Sequence, residues 1–140
     1  VVGRVNLHFG RDMATRLRHM QREFSALRFH ENADDAAVDR LLATASVTVF
    51  PTQAEGCGLP LLESLWRGVP VLASDLPALR ENASGGGCQL VTTGDATGWK
   101  AAVRALVGST TDRQALAEAA CSRALPTWRE AADALRRGLT

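Results

Sequence analysis

The sequence predicts an α/β fold, a Rossmann-like parallel sheet with helices on both faces. Short apolar segments alternate with longer helical ones along the whole chain. The apolar segments run without the in–out alternation of a half-exposed strand, as in Val69-Pro70-Val71-Leu72-Ala73, so both faces should be covered. The length of 140 residues allows one domain with its own core and leaves no room for two of ordinary size.

The elements follow in order. Val1-Val2 reads as the end of a strand. A helix is expected over 11–24, because Met13, Leu17, Met20 and Phe24 share one stripe at helical spacing, which reads as core packing. Residues 26–29 read as a short strand and 30–33 as a polar turn. Asp34 or Asp35 caps the next helix, which runs to about 45 with Val38, Leu41 and Leu42 inward. Val47-Thr48-Val49-Phe50 is β-branched and apolar and stops at Pro51, which predicts a buried strand. A loop over 52–58 leads to a helix with Pro60 in its first turn, ending at Gly68. A strand over 69–73, a short helix over 78–82, a loop over 84–87 and a strand over 88–91 come next. Asp95 caps a helix over 97–107, and helices over 112–123 and 128–137 close the chain.

Composition excludes several classes of function. Hydrophobic residues are 46% and charged residues 22%, which rules out a disordered or low-complexity chain. The net charge of +1 gives no field to hold nucleic acid or an anionic membrane. No apolar run approaches the roughly 18 residues of a membrane span. Cys57, Cys88 and Cys121 are odd in number with no close pair, which argues against a disulfide framework and for a reducing compartment. No C-x-x-C or H-x-x-x-H pairing exists, so no metal site is expected. His8 and His19 read as ordinary surface residues.

One segment points to chemistry: Glu55-Gly56-Cys57-Gly58-Leu59-Pro60-Leu61-Leu62-Glu63. Its glycines let backbone approach a ligand closely. The helix behind them offers unpaired N–H groups and the positive end of its dipole, which suits phosphate. Carboxylates do not bind phosphate, but Glu55 and Glu63 can accept hydrogen bonds from sugar and ribose hydroxyls. A structural alternative stands beside this. Glu55 could merely complement the helix dipole, and Glu63 could pair with Arg67 one turn on, a surface interaction of about 0.3–0.5 kcal/mol.

The frame with seven residues between Glu55 and Glu63 resembles the signature of the retaining, GT-B-fold glycosyltransferases of the large nucleotide-sugar family. The resemblance extends over 34–51, over Gly68 to Asp75 with Pro77 to Glu81, and over Gly94-Asp95 and Arg123 to Trp128. It implies that residues 1–140 are the C-terminal, donor-binding domain of such an enzyme. Val1 to Arg4 then correspond to its second strand. The first strand, and the Arg and Lys that clamp the donor diphosphate in relatives, would lie upstream of Val1. Arg4 is not that arginine by position, and Lys100 comes far too late in the chain.

By the same resemblance, Glu55 contacts hydroxyls of the transferred sugar and is the catalytic candidate. Backbone N–H groups of Gly56, Cys57, Gly58 and Leu59 meet sugar and phosphate oxygens, Glu63 holds the ribose, and the turn at Phe29-His30-Glu31 places His30 beside the nucleobase. Gly85-Gly86-Gly87-Cys88 together with Ser64-Leu65-Trp66 looks like the bacterial mannosyltransferases that build O-antigen polysaccharides. The expected donor is therefore GDP-mannose, with UDP-sugars next, and no metal or other cofactor is expected. The acceptor is a glycan held by an N-terminal domain, and any membrane contact comes through that domain. The expected location is the cytoplasm, at most at the inner face of the membrane. A nucleotide-sugar epimerase of GT-B-like fold and a non-enzymatic α/β binding module are the alternatives; epimerisation without an acceptor would mark the first.

Overall fold

The computed structural model describes residues 1–3, 11–125 and 127–138, and Arg4 and His8 lie outside them. The chain divides into two compact units, Val1–Thr44 and Ala45–Thr140.

In the first unit, β1 (Val2–Gly3) pairs in parallel with β2 (His30–Glu31), Val2 opposite His30 and Gly3 opposite Glu31. The strand expected over 26–29 therefore begins at residue 30, and His30 sits in a strand rather than a turn. The cause is local hydrogen bonding. Leu27 N–H donates to the Phe24 carbonyl at 2.9 Å, which turns the chain there. Phe29 N–H is taken by the side chain of Gln21, and ladder bonding starts only where His30 N–H meets the Val1 carbonyl at 2.8 Å.

Helix α1 (Arg11–Glu23) forms where its periodicity indicates, but its stripe is not core. Met13, Met20 and Phe24 are exposed, and the buried residue of the helix is Ala14. Spacing places side chains on one face of a helix; what covers that face is a separate matter. Helix α2 (Asp35–Thr44) is capped as expected, the Asp34 carboxylate accepting from Ala37 N–H at 2.7 Å. Val38, Leu41 and Leu42 are half-buried.

The second unit holds β3 (Thr48–Phe50), α3 (Leu59–Trp66), β4 (Val71–Ser74), α4 (Pro77–Ala83), β5 (Cys88–Val91), α5 (Ala96–Gly108), α6 (Thr110–Cys121) and α7 (Trp128–Gly138). The strands form a parallel sheet in the order β3-β4-β5. All four residues of β4 are buried. Alternate β4 side chains enter different clusters, which places a core on each face of the sheet. Val71 and Ala73 join Leu61 and Leu65 of α3, Leu79 of α4 and Ala120 of α6. Leu72 joins Val91, with Ala102 and Leu106 of α5 and Trp99 packed alongside. Helices thus cover both faces here, as the uninterrupted apolar strands predict. One expectation is corrected: β3 is not buried. It is an edge strand of this sheet, and Val49 is 47% exposed.

The helix ends match the sequence signals. Gly98 N–H donates to the Asp95 carboxylate at 2.9 Å, capping α5. Helix α3 closes where Gly68 stands, with Gly68 N–H on the Leu65 carbonyl and Val69 N–H on the Ser64 carbonyl, both 3.0 Å. At α7, Thr127 and Glu130 exchange hydrogen bonds of 2.7–3.1 Å in a capping box. No helix of the described residues is long and apolar enough to cross a membrane.

Candidate functional site

The loop between β3 and α3 carries the candidate site. Its path is set by Gly58, the residue before α3, whose φ of 75° is the left-handed conformation that suits glycine. Space imposes the same choice. A Cβ on Gly58 would lie 2.5 Å from Cδ2 of Leu79, a fully buried side chain of α4. The Gly58 carbonyl then accepts from Leu61 and Leu62 N–H at 3.0 and 3.1 Å, which starts the helix. Leu61, Ser64 and Leu65 face the core, and Glu63 is exposed in the second turn.

The Glu55 carboxylate lies on its own loop. Its Oε1 accepts from Gly56 N–H at 3.1 Å, Cys57 N–H at 3.4 Å and Gly58 N–H at 3.1 Å. Three consecutive amides converging on one anionic oxygen form a nest, the kind of donor set that also suits a phosphate or sugar oxygen. The amides assigned to a ligand and the carboxylate assigned to a sugar are therefore hydrogen-bonded to each other. In this conformation the Glu55 carboxylate faces the amides at the start of α3. Glu63 is contacted through its backbone, the Arg67 guanidinium donating to the Glu63 carbonyl at 3.0 Å. Leu59 opens α3 and is 50% exposed. His30 is exposed on β2 and belongs to the first unit, whereas the other candidates belong to the second.

Two residues that hold the loop escape sequence reasoning. The Asn82 side-chain amide donates to the Cys57 carbonyl at 2.5 Å across 25 residues, and Leu79 supplies the wall behind Gly58. No local spacing marks Asn82, because its partner comes from another element. Arg80 on the same helix makes a two-pronged pair with Asp75 at 2.5 and 2.9 Å. That guanidinium, hydrogen-bonded to Asp75, holds its carboxyl below the usual carboxylate range.

The cysteines are all free. Burial pushes the Cys88 thiol up to about 11, with Arg123 acting weakly against it. Cys57 and Cys121 are exposed. Iodoacetamide at pH 8 is accordingly expected to alkylate Cys57 and Cys121 quickly and Cys88 far more slowly, since the thiolate is the reactive form. Peptide mass spectrometry over time reads this, and equal rates at all three would refute the environment assigned to Cys88. Among the described residues no group of three or more His, Cys, Asp or Glu side chains comes together as a metal site.

Comparison with known proteins gives two findings. The sequence profile described as glycosyl transferases group 1 matches residues 2–109. The chain is also similar to proteins of Escherichia coli named serotype-specific mannosyltransferase WbdA, at 32% identity over 71 residues. That stretch is 51% of this chain but only 9% and 8% of those two proteins, so the match covers less than a tenth of their length.

Proposed function

This chain belongs to the glycosyl transferases group 1 family, and we propose that it is the donor-binding half of a retaining GT-B enzyme that moves a hexose from a nucleotide diphosphate sugar to a glycan. Membership in the family favours transfer over the epimerase and the non-enzymatic module. The likeness to proteins named mannosyltransferases makes mannose, carried as GDP-mannose, the first donor to test, with UDP-sugars next.

The observation that carries the reading is the amide nest at the start of α3. It binds one carboxylate oxygen through three N–H groups, with Glu63 in the second turn of the helix behind it. On donor binding, the amides of Gly56, Cys57, Gly58 and Leu59 turn to sugar and phosphate oxygens, and Glu55 turns to hydroxyls of the transferred sugar. Both partners of the present contact thereby gain new ones. Glu63 accepts from the ribose hydroxyls, and by the family resemblance His30 is the candidate partner of the base. As the bond to the diphosphate breaks, negative charge grows on the leaving oxygen. Backbone donors and the positive end of α3 stabilise that charge, in the role a divalent ion plays elsewhere.

The nucleophile is an acceptor hydroxyl held by a second domain outside these residues. Residues 1–140 alone are thus expected to be inactive in transfer. The same reading puts the enzyme in the cytoplasm, with contact at the inner membrane face arising through that second domain.

Glu63→Ala in the full-length enzyme tests the donor site. A charged acceptor lost from a ribose should weaken nucleotide-sugar binding about ten- to hundredfold in calorimetry. Unchanged affinity would remove Glu63 from the site.

A further inference from the structure

A concavity of about 340 Å³ lies over the carboxyl ends of β3, β4 and β5. Gln53 reaches it from the segment after β3, Ser74 ends β4, Thr93 and Gly94 follow β5, and Trp99 comes from α5. It sits on the α5 side of the sheet, where Trp99 packs with Leu72 and Leu106. The Glu55 loop leans the other way, Gly58 against Leu79 in the opposite core. The two are therefore separate features of one sheet end, the end at which α/β sheets bind ligands.

The lining has a definite chemistry. None of its side chains carries a charge. An anion finds no cation there, and a cation finds no carboxylate. Its polar side chains are hydroxyls and one amide, which both donate and accept, beside the donor-only indole N–H of Trp99. They come from three strand ends rather than along one edge, which suits hydroxyls around a pyranose better than the edge of a planar base. Trp99 supplies an indole with a flat apolar surface.

Thr93 adds an independent observation. Its hydroxyl is buried without a hydrogen-bond partner, the one side-chain polar atom so placed among the described residues. Such a group calls for an explanation, because native buried hydroxyls are almost always paired. Thr93 itself lines the concavity, and a change of χ1 rotamer is how its hydroxyl would meet a ligand there.

We propose that this concavity binds a neutral hexose unit, stacked on Trp99 and hydrogen-bonded by Gln53 and Thr93. Its assignment to the glycan under construction rests on the glycosyltransferase reading above; its preference for a neutral polyol rests on the lining alone. Such a site would hold the glycan beside the donor and fix which sugar residue meets it.

The test is calorimetric titration of the full-length protein with a neutral mannose disaccharide, with a free nucleoside and the nucleotide sugar as separate arms. The disaccharide should bind, and Thr93→Val and Gln53→Ala should each weaken it about three- to tenfold, as the loss of one hydrogen bond does. Thr93→Val should melt no lower than the parent, because valine removes an unpartnered hydroxyl, and should bind nucleotide sugar normally. A purely structural Thr93 would lower the melt and leave the disaccharide affinity alone, which overturns the proposal. Absence of disaccharide binding, affinity in both variants equal to the parent's, or nucleoside binding lost with Thr93→Val overturns it too. If disaccharide binding follows the prediction while nucleotide sugar fails to bind, the donor reading falls and the neutral-sugar site stands. The converse result removes the site and keeps the donor reading.

Discussion

Glu55→Gln is expected to slow transfer about ten- to hundredfold, the worth of a charge-assisted hydrogen bond, while leaving the fold in place. Glutamine keeps the length of the side chain and one acceptor oxygen. The amides of Gly56, Cys57 and Gly58, now 3.1, 3.4 and 3.1 Å from Oε1, therefore keep a partner. What disappears is the negative charge. At the start of α3 that charge contributes at most about 1 kcal/mol of stability, and its loss should lower the melt by about 3 °C for a chain of this size. Against a donor sugar its loss matters more, because positive charge builds at the anomeric carbon as the diphosphate leaves. An interaction that strengthens in the transition state shows itself in kcat more than in KM. Steady-state kinetics and a thermal melt on the full-length enzyme separate the two roles. A normal rate with a lowered melt would leave Glu55 as a loop cap and nothing more.

Gly87→Ala should cost the second unit about 2–5 kcal/mol of stability from backbone strain and overpacking together. Its φ of 75° is left-handed, which a side chain disfavours. A Cβ there would stand 2.7 Å from the Ala120 Cβ, 2.8 Å from its Cα and 2.8 Å from Cδ2 of Leu65. Ala120 and Leu65 are both buried, so neither has free space to retreat into. The obstacle includes backbone of α6, which cannot rotate aside as a side-chain tip can. Relief would require α6 to lift from a core that Ala120 helps to close. Given a total of about 5–15 kcal/mol for an ordinary domain, this is a substantial fraction. The denaturation midpoint measures it. A midpoint equal to the parent's would mean that α6 shifts freely, contrary to the packing described.

That glycine illustrates what the sequence could and could not disclose. The run Gly85-Gly86-Gly87 is conspicuous and reads as a family feature, yet its visible reason is mechanical. It seats the end of α6, where the Arg123 guanidinium also reaches the Gly86 carbonyl at 3.0 Å. Elements governed by nearest neighbours were legible. Asp34 and Asp95 announce their helices, Pro60 and Gly68 bracket α3, and the unbroken apolar run around Val71 marks the central strand. Local sequence misleads wherever a distant partner decides. Residues 26–29 have strand propensity, but a turn and the Gln21 side chain claim their backbone. Met13, Met20 and Phe24 have helical spacing, but spacing does not reveal what covers them. Val49 sits in an apolar run whose position at a sheet edge depends on the order of strands.

The candidate site divides along the same line. The Glu55–Glu63 frame and its glycines are visible in one dimension. Asn82, which steadies the loop from 25 residues away, and the unpartnered hydroxyl of Thr93 exist only in three. The contact between Glu55 and its own amides lies between these cases. Glu55 and the glycines beside it stand out in the sequence, but the fold alone shows the side chain turned back upon three N–H groups.

That turned-back carboxylate makes the nest selective by competition. A tethered group competes as if present at an effective concentration on the millimolar scale or above. Free phosphate or chloride must displace it and offers the expelled Glu55 nothing in return, leaving a half-buried carboxylate without its donors. A ligand that brings hydroxyls within its reach compensates the exchange. On the proposed donor-site reading, the loop then discriminates between bare anions and anions carrying a polyol before any contact specific to a particular sugar is made.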